Sequence, residues 1–222
     1  MSKYICLKRH AKNSKAPGQT DPVVLPEGFD QSFLTATKTA NTLTGVSNAL
    51  IMSSHIQRGD QSGRAVSQAF RTANIETVES IEPSIDAKTP SDYFSILQAL
   101  LDLPQYCLRK EFPIPDSVVI ITHAHNILSH LIERLIDQNF QCYSKEEQDF
   151  LDALIETVHS GSFEEFSSLM ADDIYERFRA ELTRVERGFK PDYSEVRAFK
   201  LFQNRWDELK PNCGFHLETI TG

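Results

Sequence analysis

The chain has 222 residues, 40% hydrophobic and 24% charged, enough for one α/β domain with a sizeable core or a core domain with a large insertion. Its net charge of −8 argues against a general nucleic-acid binder, and no apolar run approaches the roughly 20 residues that span a bilayer, so neither nucleic acid nor membrane is an expected partner. Cys6, Cys107, Cys142 and Cys213 are far apart without CxxC pairing, which reads as buried reduced thiols and a cytoplasmic location. Most of the acid excess, a net of −7, falls between Asn126 and Asn212, leaving the first half of the chain nearly neutral.

In chain order, short apolar runs alternate with helical patterns, the signature of βαβ units around a mainly parallel sheet. Strands are predicted at about 3–8, 49–53, 76–81, 117–122 and 214–220. Lys12 to Pro26, with Pro17-Gly18 and Asp21-Pro22, has the composition of a loop. A helix follows to about Leu43, with Phe29, Phe33, Leu34 and Leu43 expected inward. The next runs from about Gln57 to Ala73 with Val66, Ala69 and Phe70 inward. Thr89-Pro90-Ser91-Asp92 reads as a capped helix start leading into Tyr93, Phe94, Leu97, Leu100 and Leu101.

After His123 the pattern turns helical. Ile127, Leu128, Leu131 and Leu135 mark one helix, and a Ser144/Glu147 capping box opens another through Phe150, Leu151, Leu154 and Val158. Phe163, Phe166, Leu169, Met170, Ile174, Phe178, Leu182 and Val185 keep a three-to-four spacing, and a last helix is expected around Ser194 to Leu209. The expected architecture is a three-layer α/β/α domain over residues 1–222, with a helical insertion at about 127–209 before the last strand. The insertion's acidic face leaves room for a protein partner or self-association, and its aromatic stripe reads as core.

Chemistry gathers where strands end. Arg9-His10 closes the run Tyr4-Ile5-Cys6-Leu7, Arg58 lies four residues past Ser54, and His123 closes Val118-Val119-Ile120-Ile121-Thr122. The carboxyl ends of parallel strands share one edge, where ligands bind. Phosphoryl transfer needs an in-line nucleophile and fixed cations around the equatorial oxygens. A neutral imidazole suits the first task, and the guanidinium fork suits the second. His10 is therefore the expected nucleophile. Arg9, Arg58 and His123 are the expected phosphate-binding groups. His123-Ala124-His125 is a His-x-His pair, but no further ligand cluster accompanies it, so no metal or other cofactor is expected.

These motifs resemble the histidine phosphatase superfamily, the phosphoglycerate-mutase-like fold, across roughly residues 3–125 and the final strand. Its Leu-x-Arg-His-Gly signature appears as Leu7-Lys8-Arg9-His10-Ala11. Its Ser-Ser-Pro-x-x-Arg-x-x-Gln-Thr segment appears as Ser53-Ser54-His55-Ile56-Gln57-Arg58-Gly59-Asp60-Gln61-Ser62, and its second histidine as His123. The stretch Asp21 to Gly28 is similar to the family's segment before the first helix. The Arg-His-Ala-Lys opening is most like the small phosphohistidine-phosphatase branch, from which the helical block departs, as do Ala11 for glycine and His55 for proline.

The resemblance implies a metal-independent phosphatase with a phosphohistidine intermediate, acting on a phosphorylated small molecule or a phosphoprotein. It also implies a proton donor reached through the third strand, in the window holding Glu79, Glu82 and Asp86. Glu82 stands first and Asp86 second. The alternative is a non-catalytic phospho-ligand binding or regulatory protein on the same fold. A mutase fits less well, because no extra basic loop is present to reorient a bisphosphate.

Overall fold

The computed structural model describes residues 3–14, 21–86, 89–122, 131–132, 145–171, 176, 196–201 and 217–220. Four strands, β1 (Lys3–Arg9), β2 (Asn48–Ser53), β3 (Glu76–Ile81) and β4 (Ser117–Thr122), run parallel. Two more, β5 (Val196–Leu201) and β6 (Leu217–Ile220), add antiparallel, giving the order β3-β2-β4-β1-β5-β6. In register, Arg9 faces Thr122 and Ser53 faces Ile81, so the four parallel strands end together on one edge.

Because side chains alternate across a strand, β1 feeds two cores. Tyr4 and Cys6 join Ala49, Ile51, Val119 and Ile121 under α1 (Pro26–Thr42) and α2 (Gln57–Thr72). Ile5 and Leu7 join Leu50, Met52, Val118 and Ile120 on the other face. That face is covered by α3 (Pro90–Leu101), α4 (Leu103–Arg109), α5 (Lys145–Ser160) and α6 (Phe163–Met170). The architecture is thus a three-layer α/β/α fold around a mainly parallel sheet, as expected. The Thr89 cap also forms as read: its hydroxyl accepts from Asp92 N while the Asp92 carboxylate receives Thr89 N, the reciprocal capping box.

The helical block does more than decorate the sheet. Phe150, Leu151, Leu154, Phe166 and Met170 belong to the same buried cluster as the β1 and β4 side chains. Phe94 on α3 meets the rings of Phe163 and Phe166 edge-on at 5.5 and 5.3 Å. Helices α5 and α6 therefore form part of the second α layer.

Two expectations are corrected. Leu34 is not inward but 60% exposed, because α1 buries Gly28, Ser32, Ala36 and Ala40, small residues one turn apart that bring α1 close to its neighbours. The helix expected around Ser194 to Leu209 is instead strand β5 over Val196–Leu201, pairing with β1 through Lys8↔Val196 to Lys3↔Leu201. The run Val-Arg-Ala-Phe-Lys-Leu suits either period, and the open hydrogen-bonding edge of β1 decides it. The helices expected beyond Met170 and between Ile127 and Leu135, and the Ser144 cap, lie wholly or largely outside the described residues, as do Cys142 and Cys213. Cys6 and Cys107 are buried thiols outside any disulfide, and burial pushes the Cys6 thiol up to about 12. Among the described residues no helix is long and apolar enough to cross a membrane.

Candidate active site

His10 follows β1 directly and is buried, with Arg9 buried just before it. The imidazole Nδ1 lies 2.8 Å from the carbonyl oxygen of Ala11. A carbonyl only accepts, so Nδ1 donates, and in the neutral ring Nε2 then carries the lone pair. Asn13 Nδ2 lies 3.5 Å from the same Nδ1.

The opposite side of this turn is tied to α2. Ala11 N donates to Ser62 Oγ at 2.8 Å, and Ser62 Oγ donates to the carbonyl of Arg58 at 2.5 Å. Arg58 is the second residue of α2 and is half-buried. Helix α2 lacks a side-chain cap of its own from Ile56. Its first amide, Gln57 N, donates instead to Asp21 Oδ1 at 2.9 Å. Gln61 adds a third tie, its Oε1 accepting Val24 N at 2.7 Å. Val24 bridges to Asn13, and Leu25 N donates to Lys12 O. The two loops beside His10 are thus laced to one helix turn that also carries Arg58.

Two glycines permit this closeness. A Cβ on Gly28 would sit 2.3 Å from the Lys12 carbonyl oxygen, so only glycine lets the first turn of α1 lie against the post-His10 loop. A Cβ on Gly59 would sit 2.2 Å from Ser54 Oγ, and Ser54 is wholly buried at the end of β2.

Glu82 follows β3, its backbone N donating to Ser53 O at 2.7 Å, which holds it at the carboxyl edge beside β2. Its Oε1 receives the Ser80 hydroxyl at 2.7 Å and the Tyr106 hydroxyl at 2.5 Å, and lies 3.2 Å from Lys110 Nζ. Burial first, and then the adjoining Glu82 carboxylate, raises the Tyr106 phenol beyond the ordinary tyrosine range, so it stays a donor. All three of these contacts fall on Oε1. Glu79 goes elsewhere: it meets Arg71, in the last turn of α2, at 3.3 Å, toward the opposite edge of the sheet. Asp86 ends a 3-10 turn at Pro83–Asp86, and its side chain lies outside the described residues. His55 is exposed at the bend between β2 and α2.

His123 and His125 lie outside the described residues. β4, which leads to His123, sits between β2 and β1, with Thr122 beside Arg9. The structure thus brings Arg9, His10 and Arg58 to one sheet edge through the β1 and β2 ends, and Glu82 to the same edge beyond β2. Sequence reasoning assigned no role to Ser62, Asp21 or Gln61. Only the spacing of Ser62, one helical turn from Arg58, hinted at its part.

One face of β1 holds a further charge. Lys8 alternates with Cys6 and Tyr4, is fully buried, and reaches Thr35 Oγ1 on α1 at 3.2 Å. Burial lowers its amine to about 7.

No protein-family model and no curated protein sequence matches the chain. Among solved structures it is similar over its whole length to a putative phosphohistidine phosphatase SixA from Nakamurella multipartitia, at 14% identity and a TM-score of 0.51, covering 100% of this chain and 96% of that one. It is also similar to a putative phosphohistidine phosphatase SixA from Agrobacterium tumefaciens, at 23% identity and a TM-score of 0.41 over 60% of this chain and 77% of that one. A phosphoglycerate mutase from Plasmodium falciparum is similar at 16% identity and a TM-score of 0.41, over 68% of this chain and 76% of that one. The full-length likeness shows that this chain shares the fold of that structure from Nakamurella multipartitia.

Proposed function

We propose that this chain is a metal-independent phosphatase that passes through a phosphohistidine at His10. The observation that carries the reading is the Nδ1 contact to Ala11 O, which sets the tautomer with the lone pair on Nε2. Nε2 attacks phosphorus in line, forming the N–P bond as the bond to the leaving group breaks. The Nδ1–H bond to the carbonyl stabilises the positive charge that grows on the ring. Arg9 and Arg58 hold the equatorial oxygens, and His123 adds a further donor to the transferring group. Glu82 gives its proton to the leaving atom and then takes one from the water that attacks phospho-His10, releasing phosphate.

The substrate is a phosphomonoester or a phosphohistidine. A nitrogen leaving group departs more readily than an alkoxide, so phosphohistidine makes the smaller demand on Glu82. The test is to mix the protein with an aryl phosphate, quench in alkali and map the phosphorylated residue by mass spectrometry. A phosphorylated His10, turnover abolished in His10→Ala with the fold kept, and indifference to chelators are expected. Phosphate binding without any phosphorylated His10 would instead favour the non-catalytic binding protein.

A further inference from the structure

We propose that Ser62 is a positioning residue for the phosphoryl-transfer step, acting through Ala11 on the orientation of the His10 imidazole. The inference rests on the reading of His10 as the nucleophile.

Ala11 spends both of its backbone groups on the site. Its carbonyl receives His10 Nδ1 at 2.8 Å, and its N–H goes to Ser62 Oγ at 2.8 Å. The Ser62 hydroxyl has one proton, and that proton goes to the Arg58 carbonyl. A single oxygen therefore fixes the turn that orients the ring relative to the helix turn that carries the guanidinium. Ala11 and Ser62 are both wholly buried, so water offers no substitute acceptor for the Ala11 N–H. Without the hydroxyl this peptide must turn to find another partner, and the carbonyl that holds the imidazole turns with it. Arg58 keeps its place, because the α2 backbone and the Asp21 contact at Gln57 hold that turn independently. The nucleophile moves while the clamp stays.

The consequence is a rate defect in chemistry rather than in binding. Misplacing a reacting atom by an ångström costs about 100-fold, so Ser62→Ala should phosphorylate His10 about 10- to 100-fold more slowly in a single turnover. Inorganic phosphate should still bind within about 3-fold of the wild type. Ser62→Thr, which keeps the hydroxyl, should stay nearer to the wild-type rate than alanine does.

Rapid-quench measurement of phospho-His10 against time reads both rate and amplitude. The proposal expects a lowered rate constant with the full amplitude. It is overturned if Ser62→Ala reacts at the wild-type rate constant, or if only the amplitude drops, since that means fewer folded molecules with unaltered geometry. Should the alanine variant fail to fold, Ser62→Cys keeps the volume but offers only a weak donor and acceptor, and the same two outcomes decide. A wild-type protein that forms no phospho-His10 refutes the proposed function itself, which separates that failure from a failure of Ser62.

Discussion

The two ends of the candidate site are built differently. Around His10, most ties involve a backbone group: Nδ1 to Ala11 O, Ala11 N to Ser62, Ser62 to Arg58 O, Gln57 N to Asp21, Val24 N to Gln61 and Leu25 N to Lys12 O, beside the side-chain contact from Asn13. Around Glu82 the carboxylate is held by side chains alone, from Ser80, Tyr106 and Lys110, the last of them 45% exposed. A peptide group has few ways to move, so backbone ties suit a nucleophile that must meet phosphorus in line. A carboxylate that gives and later takes a proton tolerates looser support, and its ammonium partner can be partly hydrated. On the proposed function, the contrast separates a phosphate half tied to the backbone from a leaving-group half tied by side chains.

The sharpest way to test that division is at the clamp. Arg58→Ala removes a fixed cation from the phosphate half and is expected to lower kcat/KM about 100- to 1000-fold for every substrate alike, a loss read from steady-state kinetics over a series of aryl phosphates. Dependence of that loss on the leaving group would break the comparison. Glu82→Gln works the other way. With a poor alcohol leaving group it should slow turnover about 100-fold, and with a nitrophenolate hardly at all. Equal losses for both would remove Glu82 as proton donor.

A smaller effect, on stability rather than rate, tests how rigid the β1 side is. Lys8 loses its proton near 7 in the fold but near 10.5 in the unfolded chain. Between those values the unfolded state binds a proton that the folded state does not, so Lys8 makes stability rise with pH, by up to about 1.4 kcal/mol for each pH unit. Below about 7 both states are protonated and the penalty is constant. Lys8→Met should therefore flatten the stability of the protein between pH 7 and 9. Denaturant unfolding of both proteins across that range checks it; an unchanged slope means that the amine is solvated. Thr35 loses little, since its hydroxyl still donates to the carbonyls of Gln31 and Ser32.

Much of this was legible because local pattern and fold agreed. The inner parallel strands β1, β2 and β4 are largely apolar runs, as strands buried on both faces must be, whereas the edge strand β3 is mostly exposed or half-buried. The ends of β1 and β2 announced Arg9-His10 and Arg58. Leu34 misled because an apolar residue on a helix says nothing about how near the helix packs. The close α1 interface takes alanine, serine and glycine, and leaves the leucine outside. Glu79, Glu82 and Asp86 shared one window, and only the expected strand end put Glu82 first. The partners that tell Glu79 from Glu82, Arg71 in one case and Tyr106 with Lys110 in the other, lie 8 to 28 residues away and follow no period.

By itself, then, the sequence determined the positions of the first four strands along the chain, their mainly parallel class and the residue types at their ends, because hydrophobic period and strand-end chemistry are local properties. Only the tertiary structure decided that Val196–Leu201 extends the sheet, that Glu82 is oriented through Oε1, and that Ser62 joins the turn after His10 to the helix turn of Arg58. Each of these depends on hydrogen bonds between segments distant in the chain. Such bonds are made by whichever group the packed layers bring within about 3 Å, and that is set by packing rather than by any neighbour in sequence.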